Sequence, residues 1–179
     1  ALKGPNFDGN TLWAKARDAG CVGAVLDHVP EDWGLGLVVV QDGIEALQAC
    51  ASALRQGFEG PVVGSTASSG KTTTRVILAA VLGQRFETHQ TAGNLNNHIG
   101  LPLTLLDLES QHELLVLEMG MSGPGEIDLL QRISAPTIRL ITNVSLAHSE
   151  GTGDLAKTAA CKQELFAGAR SGDVLVVNQ

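Results

Sequence analysis

The run VVGSTASSGKTTT at 62–74 combines the residue types and spacing that can hold a phosphate. Two valines lead into residues that are all small or hydroxyl-bearing, and Gly70, Lys71 and Thr72 then open a stretch of helical character. Backbone N–H groups of such a loop, together with those of the helix it starts, form an anion cradle. Ser68, Ser69, Gly70 and Thr73 line that cradle, Lys71 reaches the terminal phosphates as a point charge, and the Thr72 hydroxyl is placed for Mg²⁺. Large side chains would keep the backbone from approaching the phosphates. The general phosphate-loop pattern asks for Gly five residues before Gly70, where this chain has Ser65. A Ser/Gly-rich turn ahead of an ordinary helix is the plain alternative. The order strand, loop, Gly-Lys-Thr, helix favours nucleotide phosphate binding.

Three further segments carry candidate chemistry. LLVLEMG at 114–120 puts Glu118 at the exit of an apolar strand, where ligands of open α/β sheets bind. A carboxylate there is a natural Mg²⁺ ligand, against the alternative of a helix cap or surface acid. IRLITNVSLAHSE at 138–150 is another strand whose exit loop carries His148, a candidate metal or phosphate ligand. TAGNLNNHIGLP at 91–102 holds Asn94, Asn96 and Asn97, whose amides suit a polar substrate, although turn formation is the favoured reading of this segment taken alone. In CKQELF at 161–166, Lys162 and Phe166 share a helix face. From its chemistry alone Lys162 reads as a solvated lysine.

Strands are expected at 22–26, 37–40, 61–64, 114–118, 138–142 and 174–177, and helices at 11–19, 44–56, 71–82, 127–133 and 157–169. This alternation predicts an α/β fold: a small N-terminal α/β unit, then a phosphate-loop-type, mostly parallel sheet with helices on both faces. Continuous apolar strands fit a sheet buried on both sides. GFEGP at 57–61 combines helix breakers and marks a boundary, giving domains 1–58 and 59–179.

Composition narrows the function classes. At 179 residues the chain holds one large domain or two small ones. Its 44% hydrophobic and 17% charged residues are those of a globular protein. A net charge of −7 argues against nucleic-acid binding, and 3% aromatics with no Tyr argue against a base-stacking platform. Cys21, Cys50 and Cys161 match neither a metal pattern nor a disulfide framework, and are expected to be buried thiols of a reducing cytosol. No apolar run approaches the roughly 20 residues of a membrane span.

Taken together, these segments resemble the Mur ligases of bacterial cell-wall synthesis along nearly the whole chain. LKGPNFDG at 2–9 is similar to the uridine-nucleotide-binding start of their first domain, with Asp8 at the substrate. SSGKTTT at 68–74 is similar to their phosphate loop. GNLNNHIGLP at 93–102 is the most specific word, similar to that of the branch that adds D-Ala-D-Ala to UDP-N-acetylmuramoyl-tripeptide. The resemblance implies ATP and Mg²⁺ as cofactors, with Thr72, Glu118, His148 and Lys162 as metal ligands, Lys162 through carbamylation by CO₂. It further implies catalytic roles for Lys71, His148 and Lys162, an acyl-phosphate route to an amide, and a cytoplasmic monomer. The implied domains are an N-terminal domain for the UDP-linked substrate and a central ATP-binding domain.

Three positions depart from the family pattern: Ala67 stands for a loop Gly, Asn10 for a His, and Ser149 for a large apolar residue. At Ala67 a Cβ is expected to strain the loop if that position needs positive φ. Both ends look cut, so a fragment of a three-domain ligase is expected. A non-catalytic nucleotide-binding module and another phosphate-loop phosphotransferase remain the alternatives.

Overall fold

The computed structural model describes residues 1–145 and 154–178. They fall into two compact units, Ala1–Ala49 and Cys50–Gln179. In the first, short strands β1 (Lys3–Gly4) and β2 (Phe7–Asp8) pair antiparallel. The Asp8 carboxylate accepts from the Asn10 N–H and starts a 3-10 turn, Gly9–Leu12, which leads into α1 (Trp13–Asp18). The single helix expected over 11–19 is therefore a tight turn followed by a short helix. Strands β3 (Gly23–Leu26) and β4 (Gly36–Val39) pair in parallel. Trp33 is buried in their connection, and its indole N–H donates to the Gly36 carbonyl at 2.9 Å.

Asp42 caps α2 (Gly43–Gln56) by accepting from the N–H groups of Ile44 and Glu45. The helix runs through the division between the units. Its last turns belong to the second unit because Ala51 is fully buried in that unit's core. The boundary read from the sequence at 58/59 lies just past the helix's end.

The second unit continues with β5 (Val62–Thr66), α3 (Lys71–Leu82), β6 (Thr88–Gln90), α4 (Gly100–Leu106), β7 (Leu114–Glu118) and α5 (Glu126–Ser134). It closes with β8 (Ile138–Ile141), α6 (Leu155–Gln163), a 3-10 turn Glu164–Phe166 and β9 (Val174–Val177). The sheet order is β6-β7-β5-β8-β9, with every neighbouring pair parallel. Side-chain alternation along β7 builds two cores. Leu115 and Leu117 pack with Leu101, Leu105, Ile127 and Leu130 on one face. Leu114 and Val116 pack with Ala79 of α3 on the other. Helices thus cover both faces, and each fully buried Leu contributes roughly 2–3 kcal/mol.

β5 and β7 are buried at every position, whereas all of β9 is exposed. Burial on both faces therefore holds for the centre of the sheet and fails at this edge strand. Val25, Val38 and Val39 of the first unit are exposed as well. Besides the two-residue strands β1 and β2, β6 and α4 were not expected from sequence. β6 has only three residues. α4 contains Gly100 and Pro102, but Pro102 lies in the first turn, where a missing N–H is harmless. The helix expected over 157–169 begins earlier, behind the Asp154 cap, and tightens into the 3-10 turn at Glu164. The thiols are free, but only Cys161 is buried; Cys21 and Cys50 are exposed, contrary to expectation. Among the described residues no helix is long and apolar enough to cross a membrane.

Candidate phosphate-binding site

Chain order places β5 centrally, with β7 on one side and β8 on the other, so its carboxyl end opens at the switch point of the sheet. Hydroxyls close the seam to β7 there: Ser65 Oγ donates to the Leu117 carbonyl (3.3 Å) and Thr66 Oγ1 to that of Met119 (2.9 Å). The chain then leaves the sheet through residues 67–70. Gly70, at φ 74°, is the N-cap of α3, in a left-handed conformation that favours glycine. The helix starts with no side-chain cap, so its first-turn N–H groups remain available to an anion.

Residues of the β8 exit hold the loop from the other side. Ser68 N–H donates to the Asn143 carbonyl at 3.1 Å. Ser68 Oγ donates to the Ser145 carbonyl at 3.0 Å and accepts from its N–H at 2.9 Å. The Asn143 amide accepts from Ser69 N–H at 3.1 Å and donates to the Ser69 carbonyl at 2.9 Å. The strain expected at Ala67 does not arise. Ala135 alone among the described non-glycine residues has positive φ, and the Ala67 methyl is buried.

Two ammonium groups converge on one atom. Lys71 Nζ donates to the Ala67 carbonyl at 3.1 Å and Lys162 Nζ to the same oxygen at 3.0 Å. Lys162 is 3% exposed, so the solvated reading of this residue is corrected: α6 packs it under the loop. Burial, and secondarily the Lys71 charge, push its pKa down to about 8. Below that pH Lys162 is charged in both folded and unfolded chains, and the full cost of burying it is present. Between about 8 and its unfolded value of 10.5, only the unfolded chain holds the proton, so stability rises with pH. In urea titrations, the unfolding free energy is expected to climb across this window in the wild type. Lys162→Met is expected to be more stable below pH 8 and to lack that climb; an identical slope in both would assign it to other groups.

Glu118 sits at the end of β7, 1% exposed. Its N–H donates to Thr91 Oγ1 at 3.0 Å, and its Oε1 accepts from Asn96 Nδ2 at 2.8 Å. Its Oε2 faces Arg75 Nε at 3.4 Å without a hydrogen bond, and neither atom has a partner among the described residues. Arg75 is anchored through Nη1 to the Thr91 carbonyl and to Gln90 Oε1. The Asn-rich segment is tied to this strand end, since Asn96 also accepts the Gly120 N–H through its carbonyl at 2.8 Å. A Cβ at Gly120 would lie 2.8 Å from Asn96 Oδ1, which explains the glycine. Asn97 accepts from the N–H groups of Ile99 and Gly100 and so begins α4; Asn94 is exposed.

The structure thus gathers Ser68, Ser69, Gly70, Lys71, Thr72, Thr73, Glu118 and Lys162 onto the elements that end or begin at the β5 switch point. His148 lies outside the described residues. Asp8 belongs to the first unit, where hydrogen bonds from Lys3 and Asn10 hold its carboxyl at about 2. Asn10 is buried there; it donates to Asp8 Oδ1 at 2.9 Å and accepts the Asp27 N–H at 3.0 Å. Sequence reasoning missed Arg75, Thr91 and Asn143. Arg75 stands one helical turn beyond Lys71, which was the available signal.

The comparisons with known proteins agree with this geometry. A family model for the Mur ligase middle domain matches residues 66–179. The UDP-N-acetylmuramoyl-tripeptide–D-alanyl-D-alanine ligase of Bacillus subtilis is 41% identical over 98% of the chain, and that of Escherichia coli 39% identical over 99%. Each match spans 39% of the relative, so the chain covers about two fifths of the length of these curated relatives. A crystal structure of MurF from Acinetobacter baumannii superposes with a TM-score of 0.95 at 33% identity, over all of this chain and 40% of that one. The Thermotoga maritima MurF ligase in complex with ADP gives 0.90 at 33% identity, over 99% of this chain and 41% of that one. On the phosphate loop at the sheet's switch point and the family match over most of its length, the chain belongs to the Mur ligase family.

Proposed function

We propose that the protein built on this chain is an ATP-dependent ligase that joins D-Ala-D-Ala to UDP-N-acetylmuramoyl-tripeptide, a step of peptidoglycan precursor synthesis. The observation that carries this reading is the convergence of Lys71 and Lys162 on the Ala67 carbonyl beside an uncapped helix start. Both side chains are thereby held at the phosphate loop, Lys71 as a cation for the phosphates and Lys162 as the amine to be carbamylated, and the relatives' names supply the reaction. The terminal phosphoryl group of ATP moves to a carboxylate oxygen of the tripeptide, giving an acyl phosphate and ADP. The dipeptide amine then attacks the acyl carbon, the carbon–oxygen bond to phosphate breaks, and the amine loses a proton. Backbone N–H groups of 70–73 hold the phosphates in register, and Lys71 balances charge on the transferring group.

Thr72 and Glu118 offer hard oxygen donors, and Glu118 Oε2, ion-paired with Arg75 but accepting no hydrogen bond, keeps lone pairs for a cation. These donors suit Mg²⁺, which when bound neutralises charge between the outer phosphates. His148 is the further ligand the family pattern implies. Lys162 fits carbamylation because burial lowers its pKa to about 8, which leaves a larger neutral fraction of the amine near that pH than an exposed lysine has. That amine attacks CO₂, releases a proton and becomes an anion. We assign residues 1–58 to the UDP-linked substrate through Asp8, and 59–179 to ATP, with the Asn94, Asn96 and Asn97 segment assigned to the peptide substrate. A monomer in the cytoplasm, where ATP is available, fits these substrates.

Full-length protein incubated with the UDP-tripeptide, D-Ala-D-Ala and ATP-Mg²⁺ is expected to yield the amide and one phosphate per bond, read by mass spectrometry and phosphate release. ATP binding without amide product would overturn the proposal.

A further inference from the structure

A cavity of about 490 Å³ lies at the opposite end of the second unit's sheet, where β8 and β9 begin. Its lining includes Arg55, Arg132, Arg139 and Arg170 against a single carboxylate, Asp173. Arg132 is paired with Asp128 at 3.1 Å, and Arg139 with Asp173 at 3.4 Å. Arg55 and Arg170 have no ion pair among the described residues. Arg55 is buried, and its guanidinium donates only to neutral carbonyls: Ser134 (2.6 Å), Phe58 (2.9 Å) and Ala135 (2.8 Å). Arg139 is 2% exposed: its Nη1 donates to Gln131 Oε1 and the Leu165 carbonyl and its Nη2 to the Gly168 carbonyl and Asp173, while its buried Nε has no hydrogen-bond partner among the described residues.

Buried cations without counter-charges are destabilising unless something neutralises them. Here the positive groups also repel each other: the Arg170 charge adds to burial in lowering the pKa of Arg55, and opposes Asp173 at Arg139. Among the described residues four guanidinium groups meet two carboxylates, Asp128 and Asp173, an excess of two positive charges, one buried on Arg55 and one exposed on Arg170. A phosphate group near neutral pH carries about −1.5 to −2, and its oxygens match the guanidinium fork.

We propose that this cavity is a second anion site, remote from the phosphate loop, that takes a phosphate dianion between Arg55 and Arg170, with Arg139 and its partner Asp173 forming the wall beside it. The dianion is either free phosphate or the phosphate of a small monoester. This assignment does not depend on the ligase reading, because it uses none of the same residues.

The test is calorimetric titration of the full-length protein at constant ionic strength. It is made in the Lys71→Ala background, so that the phosphate loop is weakened. Inorganic phosphate and glycerol phosphate are titrated separately; binding of either at one site supports the proposal, and the tighter names the source. Adding Arg170→Gln, an exposed change that leaves the fold intact, is expected to weaken binding roughly tenfold. Amide NMR shifts of Gly168 and Asp173 are expected to move with phosphate. Loss of all phosphate binding in Lys71→Ala, unchanged affinity after Arg170→Gln, or equal affinity for citrate would each overturn it.

Discussion

Lys71→Ala is expected to lower ATP turnover by the full-length protein roughly a hundred- to a thousandfold, the range seen when one preorganised donor to developing charge is removed. Lys71 is the first residue of α3, so its backbone is fixed by the helix and its ammonium by the Ala67 carbonyl. No reorganisation is needed before charge builds on the transferring phosphoryl group, and the lost stabilisation falls on the transition state. The loss is therefore expected in kcat more than in KM for ATP. Lys71→Arg is not expected to restore turnover, because a planar fork cannot replace a compact charge at this spot. A second readout needs no catalysis. Lys71 is one of two causes of the low Lys162 pKa, and the lesser one. Removing it should move the pH-dependent rise in stability upward from about 8 without abolishing it, since burial remains. Full turnover in Lys71→Ala would show that the ammonium serves only to brace the loop.

The phosphate loop was legible because its signals are local. Val62–Thr66, the small loop residues and Gly70 are contiguous, and each specifies its own backbone. Glu118 was legible for a related reason: a buried strand must end somewhere, and a carboxylate at that end is conspicuous. What could not be read depends on neighbours distant in sequence. β6 has three residues, of ordinary polarity, and exists because Thr88–Gln90 align with Leu114–Val116. α4 is too short to form alone, and is held by the Asn97 cap and the burial of Leu101 and Leu105. Lys162 looked solvated because nothing beside it in sequence predicts that α6 passes under residue 67. Arg75 and Glu118 meet only because β7 lies next to β5, and strand order is not encoded in any single segment. The basic cavity has the same origin: Arg55 of α2, Arg139 of β8 and Arg170 of the turn before β9 are far apart in sequence and share one end of the sheet.

Glu118→Gln is expected to destabilise the protein by about 3–5 kcal/mol, the usual result of removing one member of a buried ion pair. Glutamine matches the shape and can still accept from Asn96, so the change isolates the charge. It leaves the Arg75 guanidinium at 8% side-chain exposure with no carboxylate at 3.4 Å. Arg75→Met strands the Glu118 carboxylate in turn, and also frees the Thr91 carbonyl and Gln90 Oε1. The double variant removes both charges, so its loss in urea unfolding is expected to fall short of the sum of the singles by roughly 1–3 kcal/mol. Strict additivity would mean that the 3.4 Å approach carries no energetic coupling. Turnover separates structure from chemistry. If Glu118 matters only as the partner of Arg75, activity should recover with stability in the double variant. If its Oε2, which accepts no hydrogen bond, also serves a cation at the phosphates, stability is regained while turnover stays low, and no concentration of Mg²⁺ restores the wild-type rate.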